Sequence, residues 1–260
     1  MSSKTENSLI DQIISKSSTD GRFDERAFMV EHNTLDTDQR RAIRFSADLA
    51  RILFGVEGLE AIESDYYFWD KTTVSFKRPL LETAQSEMKV LEIGCGPVAV
   101  LSLFLAKTLN GISITSADID ATHLATAAKA ARINGVALNL VESDMAQNIN
   151  EKFDLVFMNP PYVASQDLNA IGIAINSSEG RSGHGGGDGS GVVNQFLRQV
   201  PHILNQGGKA LLGINTFFLA NEVVCRCVED SAFQLIQKFY PDNDTYPNGP
   251  YSQIYILEVA

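Results

Sequence analysis

Lys89-Val90-Leu91-Glu92-Ile93-Gly94-Cys95-Gly96-Pro97-Val98-Ala99 is the stretch that decides the fold of this chain. Val90, Leu91 and Ile93 read as a buried strand, the two glycines as a tight turn, and residues 100–107 as the helix that follows. Glycines at a strand-to-helix turn let backbone approach a ligand closely, and the helix amino end behind them favours polar or anionic groups. Working outward, residues 112–117 form a second short strand ending at Asp118-Ile119-Asp120, where an acid is placed to bind ribose hydroxyls. A third strand, residues 138–142, runs into Ser143-Asp144. A fourth, Phe153–Met158, empties into Asn159-Pro160-Pro161-Tyr162. Helices between them, such as residues 121–134 closed by Gly135, predict an α/β fold with a doubly wound, Rossmann-like sheet. Residues 209–214, 233–240 and 252–259 supply three further strands, the last two as a closing pair, which brings the sheet to seven strands.

The tetrapeptide after the fourth strand sits where open α/β sheets bind ligands. The side-chain oxygen of Asn159 and the backbone carbonyl of Pro160 are two acceptors able to receive both hydrogens of a planar NH2 group, because proline fixes φ and leaves its carbonyl free. Tyr162 can stack on the same planar group. An amide or aromatic amine held there would present its nitrogen to an electrophile; its lone pair is delocalised, so orientation and polarisation of the N–H bonds supply the catalysis. Asn-Pro also opens ordinary turns. The glycine turn and the acids at neighbouring strand ends favour the chemical reading.

On these residues, the span 86–260 resembles the class I S-adenosylmethionine (SAM) dependent methyltransferases, and within them the HemK-like enzymes that carry Asn-Pro-Pro-Tyr and methylate planar nitrogens. The resemblance implies SAM as cofactor, with Glu92, Gly94 and Gly96 around its methionine moiety, Asp118 on the ribose and Asp144 at the adenine amine. It implies Asn159, Pro160 and Tyr162 as the catalytic clamp, Asn159 also bordering the cofactor, and Pro161 as a substrate contact; Trp69, from the aromatic run before the sheet, is a second candidate substrate contact. Gly186-Gly187-Asp188-Gly189, followed by Phe196, Val200 and Leu204, is similar to a loop and helix of the same enzymes. Their Pro-x-x-Asp-Thr segment has its nearest counterpart in Phe68-Trp69-Asp70-Lys71-Thr72. The implied acceptor is a glutamine amide of a protein, then a small metabolite, then an adenine amine of RNA or DNA. Oxygen methylation of a metabolite, a nicotinamide-dependent dehydrogenase and a catalytically silent SAM-fold module stay open as rivals.

Composition sets the remaining bounds. With 260 residues and 44% apolar content the chain can bury one large core plus a smaller region. Residues 1–85 read as a helical extension or lid and 86–260 as the methyltransferase domain. Within the extension, Asp36-x-x-Gln39 is a capping-box pattern leading into a helix over residues 40–54 with Gly55 as its stop. Arg40, Arg44 and Arg51, with Asp48 among them, read as a solvated ion-paired face. The aromatic run Tyr66-Tyr67-Phe68-Trp69 reads either as packing of the extension or as pocket lining. A net charge of −11 and a pI near 4.8 weigh against a protein that grips nucleic acid by bulk electrostatics. Three cysteines and four scattered histidines offer neither a disulfide framework nor metal-ligand spacing. The polar start and the lack of an apolar run of about 20 residues lead to the expectation of no membrane span and a cytoplasmic location. Asp120 reads as the cap of the helix at Ala121, Asp144 alternatively as a solvated loop acid, the glycine-rich span 180–191 as a mobile loop beside the site, and His184 as a loop residue without a task.

Overall fold

The computed structural model describes residues 3–20, 22–36, 38, 39, 43, 46–62, 69–170, 172–240 and 252–260. Seven strands form one sheet: β1 Lys89–Ile93, β2 Ser113–Asp118, β3 Asn139–Glu142, β4 Phe153–Met158, β5 Leu204–Asn215, β6 Phe233–Phe239 and β7 Ser252–Val259. Their order across the sheet is β3-β2-β1-β4-β5-β7-β6, parallel except for β7, which runs antiparallel to both neighbours. The chain leaves β1 toward β2 and β3 on one side and returns to β4 on the other, so a topological switch lies between β1 and β4. That is where such sheets bind ligands. Register makes the ends coincide: Ile93 pairs with Ala117 and with Met158, and Asp118 pairs with Glu142. Gly94, Asp118, Ser143 and Asn159 therefore emerge along one edge.

Period-two alternation divides β4 between the two faces. Leu155 and Phe157 join one buried cluster and Val156 and Met158 the other. Phe157 meets the ring of Phe76 at 5.8 Å, and both are fully buried; burial of each contributes about 1.5–3 kcal/mol. Helices α1 Ser3–Lys16, α2 Glu25–Thr34, α3 Ala47–Phe54 and α4 Lys71–Thr83 precede the sheet. Phe28, Leu49, Leu53 and Phe54 from this region share a cluster with Leu101, Leu155 and Phe157 of the sheet layer. The described helices before the sheet thus contribute to the sheet's own core.

Some boundaries move for identifiable reasons. The expected helix over residues 40–54 is interrupted: Ser46 is extended and accepts the Leu49 N–H, so α3 starts at Ala47 and stops at Gly55, as the glycine predicts. Arg40, Ala42, Arg44 and Phe45 lie outside the described residues, as do Tyr66, Tyr67 and Phe68. The Asp36 and Gln39 pattern forms both reciprocal bonds, at 2.8 and 3.0 Å. Residues 191–203 fold as an α-helix, Gly191–Gln199, and a 3-10 turn, Val200–Ile203, containing Pro201, which has no N–H to give. β5 is longer than the span 209–214.

Helix α4 fixes the geometry of the site. It packs on β5 and β7, and it lies so close that a Cβ at Gly213 of β5 would collide with the Phe76 ring and Thr72. Its amino end is closed by a full capping box: Asp70 Oδ1 accepts the Thr73 N–H at 2.7 Å, and the Thr73 hydroxyl accepts the Asp70 N–H at 3.2 Å.

Candidate active site

The carboxyl ends of β1, β2, β3 and β4 open into a cavity of about 640 Å³. Its floor is the glycine turn. The N–H groups of Gly94 and Cys95 both reach the Ala117 carbonyl, at 2.8 and 3.0 Å, which pins the turn to β2. Gly94 and Gly96 adopt φ of 69° and 66°, a left-handed conformation that favours glycine. A Cβ at Gly96 would meet no atom within 4 Å. The space beside that turn belongs to whatever the cavity holds.

Each acid of the cavity is oriented by neighbours. Glu92 is buried on β1 and accepts both the N–H (3.1 Å) and the hydroxyl of Ser102, in the first turn of α5 Val100–Thr108; the Ser116 hydroxyl donates on to Ser102 at 2.7 Å. Burial, opposed by these bonds and helped by the nearby Asp118 charge, raises its pKa from 4.5 to about 8. At that value the protonated form of Glu92 predominates at neutral pH. Asp118 accepts the Gly96 N–H at 2.8 Å, the Asp120 N–H at 3.0 Å and approaches His123 Nδ1 at 3.1 Å. Oδ1 faces the last two and Oδ2 takes the Gly96 N–H alone, and a carboxylate oxygen can accept two bonds, so Oδ2 keeps capacity for a ligand hydroxyl. Asp120 caps α6 Ala121–Ile133 through Thr122, as its position predicts, and these bonds hold its carboxyl below the usual range. Asp144 is held by Gln147 Nε2 (3.0 Å) and Gln195 Nε2 (3.3 Å) on the cavity wall. Burial pushes the Cys95 thiol in the turn well up, so it stays protonated.

At the end of β4 the side chain of Asn159 is fixed from one side. Its Nδ2 donates to Asp70 Oδ1 and Thr73 Oγ1, both at 3.3 Å. Its Oδ1 is buried with no partner among the described residues. A buried acceptor left without a donor carries a desolvation cost of about 1–3 kcal/mol, so it marks a place that a ligand N–H can complete. Pro161 lines the cavity with Asn159. Pro160 and Tyr162 do not: Tyr162 is buried in the core behind the cavity, its hydroxyl 3.2 Å from that of Thr72, which in turn lies 3.3 Å from Ser252. The stacking role expected of Tyr162 is thus not its position here. Trp69 lines the cavity and also packs on Phe28 and His32, at 5.8 and 6.0 Å, so both readings of that aromatic apply to it.

The glycine-rich loop is a brace. The Val163 N–H donates to the Gly183 carbonyl at 2.7 Å, and the Val163 carbonyl accepts the Gly185 N–H at 2.9 Å. A Cβ at Gly185 would stand 2.6 Å from the Tyr162 Cα, and one at Gly189 would strike the Tyr162 carbonyl. The close approach requires glycine and locks the backbone of the tetrapeptide. His184, expected to have no task, bonds the Ser165 hydroxyl at 2.8 Å. Residues given no site role from sequence also face the cavity: Thr73, His123, Gln195, Arg181 and Asp70, the last noted only within the segment 68–72. The Asp-x-x-Thr spacing of Asp70 and Thr73 is itself a capping pattern and was the available signal. Among the described lining residues five are carboxylic acids, Asp70, Glu92, Asp118, Asp120 and Asp144, against the single guanidinium of Arg181.

Strand order, the switch between β1 and β4 and the site at the strand ends together define the methyltransferase type of Rossmann-like fold. Residues 70–187 match the family model of the methyltransferase small domain. More particularly, the chain is 31% identical over 136 residues to the release factor glutamine methyltransferase of Streptococcus pneumoniae, covering 52% of this chain and 48% of that protein. It is 33% identical over 132 residues to the ribosomal RNA small subunit methyltransferase C of Colwellia psychrerythraea, covering 47% and 35%. A solved methyltransferase of Pyrococcus furiosus has the same fold, with a TM-score of 0.59 at 19% identity over 85% of this chain and 98% of that one. The matches span about half or less of the lengths of the two sequence relatives. No helix among the described residues is long and apolar enough to cross a membrane.

Proposed function

We propose that this chain is a SAM-dependent methyltransferase acting on a planar NH2 group, in the first place the side-chain amide of a glutamine in a protein. The observation that carries the reading is the buried Asn159 Oδ1, an acceptor without a donor, on the wall of a cavity whose floor is a glycine turn. The residues fit SAM: a carboxylate-rich cavity suits a ligand that carries ammonium and sulfonium charges, and the open space beside Gly96 admits its close approach. Glu92, Gly94 and Gly96 would hold its methionine part, Asp118 the ribose and Asp144 the adenine. When bound, SAM supplies an electrophilic methyl group. Asn159 accepts from an N–H of the acceptor, which holds the amide in orientation and draws density onto its nitrogen. Pro161 and Trp69 border the acceptor. No side chain with the place of a strong base is required if the proton leaves after transfer.

The likeness to a ribosomal RNA methyltransferase favours a nucleobase amine as a second reading. The net charge of −11 and the acids lining the cavity weigh against a polyanion. Incubation of a lysate with methyl-labelled SAM and the protein, followed by fractionation, separates the two. Label on glutamine side chains of protein is the expected result; label confined to RNA would overturn the glutamine assignment in favour of the base.

A further inference from the structure

We infer that Asp70 is a positioning residue that fixes which end of the Asn159 carboxamide faces the acceptor. An Asn side chain has two nearly isosteric ends, one donating and one accepting, and the partners decide between them. Here the partners leave no choice. Asp70 Oδ1 is a carboxylate oxygen and can only accept. The Thr73 hydroxyl has one proton, and that proton is given to Asp70 Oδ1 at 2.7 Å, so toward Asn159 it too can only accept. A flipped Asn159 would set its oxygen against two acceptors. The amide nitrogen is therefore held on the Asp70 side and Oδ1 is left as the group with no partner.

Donation to a carboxylate has a second effect. A charge-assisted bond from Nδ2 shifts density through the amide onto Oδ1 and strengthens it as an acceptor. Asp70 thus combines two tasks: with Thr73 it closes the amino end of α4, and through Asn159 it presents an acceptor to an incoming NH2. This inference rests on the clamp reading of Asn159 given above, and it links that clamp to a residue 89 positions away in the chain.

The test uses Asp70→Ser, because serine is as good a helix cap as aspartate but is too short to reach Asn159. In the 15N-labelled protein the Asn159 Nδ2 protons are identified as the pair absent from Asn159→Ala. They should exchange slowly with solvent in the parent and at least about tenfold faster in Asp70→Ser, while SAM affinity changes less than about twofold. Turnover on a glutamine peptide should fall about 10- to 100-fold, and the same substitution in the Asn159→Ala background should cost less than about twofold, since Asp70 acts through Asn159. Unchanged amide exchange in Asp70→Ser, or the full loss of turnover in the Asn159→Ala background, overturns the inference. Should Asp70→Ser fail to fold, Asp70→Asn keeps the length and the cap and carries the same exchange measurement, with a smaller expected acceleration from loss of the charge. If exchange responds as expected while no variant or parent methylates glutamine, the acceptor assignment falls and the positioning role stands.

Discussion

The two halves of the cavity are assembled at different ranges along the chain. On the proposed cofactor side, Glu92 bonds Ser102, Gly96 bonds Asp118 and Asp118 meets His123, at separations of 10, 22 and 5 residues. On the proposed acceptor side, Asn159 bonds Asp70 across 89 residues, Tyr162 meets Thr72 across 90 and Thr72 meets Ser252 across 180. One half is a product of local strand-turn-helix units; the other exists only when α4 has docked on β5 and β7. The segment before the sheet is therefore a wall of the site. A consequence follows for function: substitutions on one side should move cofactor affinity and those on the other should move turnover.

The largest effect that would break this division is expected at Asn159. Replacing it with alanine removes the acceptor oxygen and should lower turnover about 10²- to 10³-fold, the scale for deletion of one preorganised hydrogen-bonding group. SAM affinity, measured by calorimetry, should stay within about twofold. Retention of turnover would retire the clamp; a parallel loss of SAM affinity would show that the two halves are one.

Next in size is a pH effect on the cofactor side. Glu92 releases its proton near 4.5 in the unfolded chain but holds it to about 8 in the fold. The folded protein binds the extra proton between those values, so the stabilisation is complete at the acidic end and is lost as pH rises through the interval. Between pH 5.5 and 7.5 the unfolding free energy of the parent should decline by roughly 2 kcal/mol relative to Glu92→Gln, which cannot titrate. Parallel denaturation curves for the two proteins across that range would remove the argument. Saturating SAM should flatten the parent's decline, because a neighbouring cation favours the carboxylate.

Gly96 sharpens the same side with a smaller change. An alanine there suffers the left-handed φ of 66° but meets no protein atom, so stability should drop by only about 1–2 kcal/mol. The added methyl would enter the open space that the proposed function gives to the cofactor, and SAM affinity should fall about tenfold. Loss of stability with unchanged affinity would move the cofactor elsewhere.

How much was legible in the sequence follows from the same contrast in range. Strands β1 to β4, the glycine turn, Asp118 at the strand end and Asp120 as cap all depend on patterns within a few residues, and they appear where periodicity and turn chemistry put them. Asp70, by contrast, carries no local sign of meeting Asn159; its capping spacing with Thr73 was readable, but the amide on its other side comes from a different strand. Tyr162 shows the converse. Its aromatic ring beside two prolines suggests a stacking partner for the acceptor, yet the glycines at 185 and 189 press on its backbone and Thr72 takes its hydroxyl, so it is buried behind the wall. The loop at 180–191 looked free because glycine is permissive, whereas glycine there permits close packing.

Asp120 offers the smallest and cleanest separation between structure and ligand. It stands two residues from Asp118 at the same strand end and borders the same cavity, so proximity alone would credit both with the ribose. Their bonds differ. Asp120 spends Oδ1 on the Thr122 N–H and hydroxyl, at 2.8 and 2.6 Å, which satisfies the amino end of α6. Asp118 instead ties the glycine turn to the strand and keeps accepting capacity toward the cavity. Asp120→Ala should therefore cost about 1 kcal/mol of stability, the usual value of a helix cap, with SAM affinity within about twofold. Asp120→Asn, which keeps a capping oxygen, should recover most of that stability. If Asp120→Ala instead weakens SAM tenfold while leaving the melting temperature unchanged, the ribose belongs to Asp120, and the bonds of Asp118 are structural.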